Sequence, residues 1–219
     1  MQTKRKIIFN NYDTAVDGLW TLAACVLSDA EPVTQYISVP GRLDGPIDAS
    51  TALTGDIQYN PRTLNVRLES SEGTRQEREN RIDQMVHELH GQRAVIWLPD
   101  DEGHYLLGRV SVKREYNDLA HAAVTVSAVC EPWRYENEET EYEVVVSGDT
   151  KEVTLENDRR PANPLLIVLG SVRLEYDGNS YALGEGTHKL PSLRITQYGK
   201  RVKVSGDGSV TFLYRKAVL

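Results

Sequence analysis

Only one stretch of this chain spaces its apolar residues for a long helix. Between Thr74 and Gly91, the side chains of Ile82, Met85, Val86 and Leu89 fall at i, i+3, i+4 and i+7, on one face. Thr74 followed by Glu77 fits a capping box, in which each side chain satisfies an orphan backbone N–H at the helix start. Gly91 stands where a left-handed residue ends a helix. Burying the four apolar side chains is worth ~1.5–3 kcal/mol each, enough to hold one helix on a sheet. Residues Arg75 to Arg81 include no large apolar side chain, which predicts that this end is solvated or meets a partner. The remainder reads as strand and turn, so the chain is expected to be mainly β with one helix at about 74–90.

The totals narrow the class. The chain has 219 residues, which suits one large or two small domains, and its 40% apolar and 26% charged residues are ordinary for a soluble globular protein. A net charge of −7 argues against nucleic-acid binding through a basic surface. Cys25 and Cys130 form no CxxC pair, and two thiols alone make no zinc site; both are expected to be small buried hydrophobes, with a disulfide between them the lesser alternative. No apolar run of signal-peptide length follows Lys4-Arg5-Lys6, and no 18-residue apolar stretch exists, so no membrane span is expected.

Lys6 to Asn10 predicts a short first strand, and Trp20 to Leu27 fits either a buried strand or a short helix. Two glycines and two prolines between Pro40 and Pro46 predict an ordered turn, in which Arg42 lies between Asp44 and Asp48. Tyr59 to Leu68 alternates, with Leu64, Val66 and Leu68 on one side, as a half-buried strand does. After the helix, Ala94–Leu98 and His104–Val112 flank the acidic turn Asp100-Asp101-Glu102-Gly103 as a hairpin. Ala122 to Cys130 alternates again, and Pro132 is expected to stop that strand.

Five glutamates between Glu136 and Glu143 read as a solvated linker or strand edge, and they place a domain boundary near residue 134. Residues 1–133 carry a net charge of −6 and residues 134–219 of −1. The second part reads as seven short strands: 142–146, 151–155, 165–169, 172–176, 193–197, 202–205 and 210–214. Turn signals at Ser147-Gly148-Asp149, Asp177-Gly178-Asn179, Gly184-Glu185-Gly186 and Gly206-Asp207-Gly208 separate them. Such spacing predicts a small antiparallel sandwich.

The candidate chemistry is thin. His87 and His90 stand at i and i+3, whereas the zinc-protease motif needs i and i+4. Asp100, Asp101 and Glu102 lack calcium-loop spacing, and no Gly-x-Ser-x-Gly elbow occurs. No set of nucleophile, base and orienting group assembles. The expectation is a protein that is not an enzyme, with no catalytic, metal or cofactor-binding residues.

The order of pieces resembles a known family. Pro40-Gly41-Arg42-Leu43-Asp44-Gly45 is followed by a strand, a helix ending Leu89-His90-Gly91, a hairpin ending Tyr105 to Val110, and a strand ending Cys130-Glu131-Pro132-Trp133. Asn157 to Pro164 then precedes a strand and Gly170, and the chain closes on Val204 to Arg215. This order is similar to that of the distal tail proteins (Dit) of long non-contractile-tailed bacteriophages and their prophages, over nearly the whole chain. The resemblance implies an N-terminal β-sandwich-like domain with one α-helix, residues 1–133, that forms a hexameric ring. It implies a C-terminal galectin-like β-sandwich, residues 134–219, outside that ring. The implied task is a structural one at the tail tip or baseplate of the virion: joining the tail tube to tip or receptor-binding proteins, with DNA passing unbound through the channel. An acidic lumen would suit that passage. For the head-to-tail contacts within the ring, Gly41, Arg42, Asp44, Arg75, Arg78, Arg81, Asp100 and Asp101 are the candidates. The alternative is a carbohydrate-binding protein that recognises host cell-wall sugar through the C-terminal sandwich. Trp20, Trp97 and Trp133 all precede that sandwich and leave Tyr176, Tyr181 and Tyr198 to stack on sugar, which favours protein docking. A hydrolase using Asp100, Asp101 or Glu102 is the third reading.

Overall fold

The computed structural model describes residues 5–41, 43–52 and 55–219. The chain divides into two compact units, Met1–Arg134 and Tyr135–Leu219, each with its own apolar core. The fold is mainly β, with one helix among the described residues.

In the first unit, β1 (Ile8–Phe9), β2 (Tyr12–Asp13) and β3 (Thr21–Leu27) precede a projecting arm. The arm is two short ribbons: β4 (Pro32–Val33) pairs with β7 (Gln58–Tyr59), and β5 (Tyr36–Ile37) pairs with β6 (Ile47–Asp48). Next come β8 (Arg62–Ser70), helix α1 (Arg75–Leu89), β9 (Arg93–Trp97), β10 (His104–Asn117) and β11 (Ala122–Glu136). The main sheet runs β2-β1-β9-β10-β11-β8-β3, which resolves Trp20 to Leu27 as an edge strand. The alternation expected of β8 and β11 holds. Leu64, Val66 and Leu68 lie opposite Ala128, Val126 and Val124 in an antiparallel register, all buried on one face.

Helix α1 covers that face with Ile82, Met85 and Leu89, and Val86 packs at their margin. Its capping box is present: Thr74 Oγ1 accepts from Glu77 N–H, and the Glu77 carboxylate accepts from Thr74 N–H. Gly91 has φ +78° as expected. It sits third in a tight turn closed by Gln92 N–H donating to Leu89 O, and its own N–H pairs with Val110 O rather than within the helix. Pro132 does not stop β11. It lies beyond the last pair of the β8 register, Cys130 with Arg62, so its missing N–H breaks no bond on that side.

The second unit departs from seven short strands. β12 (Thr140–Leu155), β13 (Leu165–Tyr176) and β16 (Lys200–Tyr214) are each long and continuous. The sheet runs β12-β16-β13-β14, where β14 is Asn179–Leu183 and β15 (Gly186–Lys189) pairs with β13. The glycine signals at 170 and 206–208 are not reversals. Gly170 lies opposite Gly208, and Val172 opposite Gly206. All three glycines have φ between +84° and +149°, and the backbones approach so closely that a Cβ on Gly208 would come 2.1 Å from Leu169 O. Across this line Leu166 and Val168, then Val172 and Leu174, keep the same face, so one core continues through the bend. On β12 a bulge between Ser147 and Thr150 adds one residue, which returns Val153 and Leu155 to the face of Val144 and Val146. Leu193 to Gln197 forms no strand; Ile195 makes an isolated bridge to Ala162.

The acidic stretch is not a free linker. Glu136 ends β11, Glu141 and Glu143 belong to β12, and Glu139 pairs with Arg215 at 3.3 Å. Arg215 also donates to the carbonyls of Glu136 and Asn137, at 2.6 Å each. The chain closes on β17 (Ala217–Val218), beside Lys216 O, which accepts from Glu136 N–H.

Gly208→Ala puts a methyl group against a backbone carbonyl at a φ that L-residues avoid. It should destabilise the second unit by about 2–4 kcal/mol. Urea unfolding checks this, and a loss of less than about 0.5 kcal/mol would show that the bend tolerates a side chain.

Candidate functional site

The candidate contact residues scatter. Arg42 lies outside the described residues. Gly41 and Asp44 sit on the exposed loop joining β5 to β6, with Gly41 at φ +82°. Asp48, beside them, is tied to Ser50: its carboxylate accepts from Ser50 Oγ and from Ser50 N–H, and together these hold it below the usual carboxylate range.

Arg75, Arg78 and Arg81 do not make one outward face. Arg78 is 1% exposed. It extends the Ile82-Met85-Leu89 stripe by one turn toward the helix start, so it points at the sheet. Its guanidinium donates to Gly73 O at 2.6 Å, Asp118 O at 2.9 Å and Leu119 O at 3.2 Å, with Asn117 Oδ1 at 3.4 Å. Five donors in a planar fork suit that set of carbonyls. Arg78 is therefore an internal anchor and not a contact residue. Arg81 is half-buried, and its Nη2 donates to Glu72 O at 2.6 Å and Ser70 Oγ at 3.3 Å. Arg75 stays exposed, and its carbonyl accepts from Asn117 Nδ2. The helix start is held by these bonds to the β10–β11 turn, not by apolar burial.

The acidic tip is also spoken for. Asp100 pairs with Arg5. Asp101 accepts from His104 Nδ1 at 2.7 Å and from Arg134 Nη1 at 3.1 Å. His90 Nδ1 accepts from Val112 N–H at 3.1 Å, which ties the end of α1 to β10. Among the described residues, no three His, Cys, Asp or Glu side chains gather as a metal site would require. Burial pushes the Cys130 thiol up to about 11, far from a reactive thiolate at neutral pH.

Sequence reasoning missed the arm's apolar surface. No described residue between 31 and 60 is buried. Val33, Tyr36, Ile37, Val39 and Ile47 are all exposed there, and Leu43 is 100% exposed at the tip. The signal was available in hindsight as apolar residues within a Gly/Pro-rich loop, where a solvated turn would carry polar ones. In the second unit, Tyr176 and Tyr181 stack on each other at 5.1 Å and share Ser192 Oγ. Each of those rings thus gives one face to the other, and Tyr198 is left exposed.

The chain shares the fold of a phage protein. The solved structure of SPP1 Dit (gp 19.1), described as a paradigm of the hub adsorption apparatus in phages infecting Gram-positive hosts, superposes with a TM-score of 0.70. The match covers 98% of this chain and 99% of that one, at 14% sequence identity. A designed double-stranded β-helix overlaps 36% of this chain and 97% of its own, at 22% identity and a TM-score of 0.25, too loosely to indicate a common fold. No protein-family model and no curated protein matches the chain.

Two outcomes follow from the helix start. Arg78→Met strands three backbone carbonyls and should cost about 2–4 kcal/mol, whereas Arg75→Ala should stay within about 0.5 kcal/mol. Equal losses in urea unfolding would contradict the anchor. Thr74 N–H, then its hydroxyl, hold the Glu77 carboxyl below its ordinary value. A depressed folded value gives stability that is complete above the unfolded value of about 4.3 and is lost as pH falls through the folded one. Glu77→Gln should therefore flatten the fall in unfolding midpoint between about pH 5 and pH 3; an unchanged slope would contradict this.

Proposed function

We propose that this chain is a structural component of a phage tail tip, a Dit-like hub that assembles as a hexameric ring in the virion tail. The ring joins the tail tube to tip or receptor-binding proteins and lets DNA pass unbound. The observation that carries the reading is the SPP1 Dit likeness, which runs through both units in one order and covers both chains almost end to end. On this reading the protein is not an enzyme and is encoded by a phage or prophage.

The arm supports self-assembly. Its apolar side chains are exposed in the single chain and join neither core, and exposed patches of this kind commonly mark contact surfaces. A head-to-tail ring needs two different patches per subunit. The arm supplies one, with Gly41 and Asp44 at its tip, and Arg75 belongs to the charged surroundings that set register. Arg78 is buried within the chain and is set aside here; Arg81, Asp100 and Asp101 already hold partners in the chain, so on this reading they would re-pair at a contact rather than add a free charge. Protein docking is also favoured over sugar binding for the second unit, because it holds no tryptophan and Tyr176 and Tyr181 each give one face to the other.

Light scattering should show a species of about 148 kDa, six copies of the 24.6 kDa chain, growing with concentration. Tyr36→Ala should weaken association about tenfold, as loss of an aromatic contact commonly does, with unchanged circular dichroism. A monomer at millimolar concentration, or a stable two-fold dimer, would contradict the ring. Selective retention on a glycan array by that monomer would bring the carbohydrate reading forward.

A further inference from the structure

The outer face of the second unit's sheet changes character along its own strands. Beyond the glycine bend it is charged, as a solvated sheet face is. There Glu175 and Glu152 flank Lys203 on either side, and Arg201 pairs with Glu152 at 3.2 Å. Before the bend the same face is aliphatic. Leu165, Ile167 and Leu169 alternate with the core residues Leu166 and Val168, so they point away from the core, and Leu169 is 59% exposed. Val145 on β12, 51% exposed, and Leu213 on β16 share that outer face.

Charges of opposite sign border the aliphatic strip. Leu213 has Glu141 beside it on β12, and Leu165 has Lys189 beside it on β15. Leu213 and Leu165 are themselves paired, so the row across four strands reads Glu141, Leu213, Leu165, Lys189. The next row places Glu143 on the same acidic edge. Glu141, Glu143 and Lys189 are exposed and hold no ion pair among the described residues. An acidic edge and a basic edge on either side of an apolar strip make a surface that complements itself. A two-fold axis parallel to the strands, between β16 and β13, lays β12 of one copy over β15 of the other. Glu141 then meets Lys189 in both directions, and Leu165 meets Leu213.

We propose that this face pairs with the same face of a second copy of the chain, sheet against sheet. Sheets that meet by their faces stand about 10 Å apart, a gap that interleaved leucine and isoleucine side chains fill. At ordinary sheet spacings the strip measures roughly 14 Å by 14 Å. That is smaller than a standard interface, so the pairing is weak, with a Kd on the order of 0.1–1 mM. The proposal goes beyond the ring reading and uses a surface other than the arm. A two-fold contact closes on itself, so it joins one ring to another rather than building a ring.

The test mixes full chains of natural and heavy nitrogen isotope, treats them with a zero-length carbodiimide, and looks in the digest for a peptide that joins Glu141 to Lys189 across the two isotopes. Within one chain these residues stand three strand spacings apart, roughly 14 Å, too far for a zero-length link. The mixed peptide therefore reports the pair and owes nothing to the arm, so it is expected whether or not a ring forms. Affinity is read by sedimentation in the Tyr36→Ala background, where the arm contact is weakened. Glu141→Lys and Lys189→Glu each set like charges together and should weaken pairing about tenfold with unchanged circular dichroism. An equimolar mixture of the two variants restores opposite charges at both ends and should regain the original affinity. Absence of the mixed-isotope peptide, or a mixture that pairs no better than either variant alone, would overturn the proposal and leave the face to another protein.

Discussion

A sheet with one apolar face must find a cover for it, and the two units meet that requirement differently. The first lays a helix over the face. The second bends its own strands until the face meets itself. In both, backbone hydrogen bonding limits how the cover is made. Helix α1 can reach across only if its first turn is fixed, and the bent strands can stay continuous only if their backbones approach without side chains between them.

The first limit is met by Arg78. A leucine there would continue the stripe and bury more apolar area, but it would leave the carbonyls of Gly73, Asp118 and Leu119 without this donor. The guanidinium trades hydrophobic gain for saturation of the β10–β11 turn. Arg62 occupies a comparable inward position on β8, where its Nε donates to Ser28 O while its buried Nη1 has no partner among the described residues.

Periodic features were legible in the sequence. The face of β8, the apolar stripe of α1 and the Thr74–Glu77 box are local patterns that burial and backbone chemistry dictate residue by residue. What was not legible depended on a distant partner. Gly206-Asp207-Gly208 has the composition of a turn, and only its register opposite Leu169 to Val172 makes it a bend. Pro132 looks like a stop in the sequence because its place outside the β8 register is not written locally. Among the candidate contact residues, charge suggested an outward role, while the carbonyls awaiting Arg78 lie some forty residues further on. The arm's apolar surface was present in the composition of residues 33–47, but nothing local reveals that no core receives it.

The position of β16 in its sheet bears on synthesis. It lies between β12 and β13, yet it follows both in the sequence. Until β16 has been made, β12 and β13 lack the strand that pairs with both. Their apolar faces, Val144 and Val146 on one and Leu166 and Val168 on the other, wait in water. The second unit therefore assembles only once β16 is available, and until then it offers two unpaired strand edges to other chains.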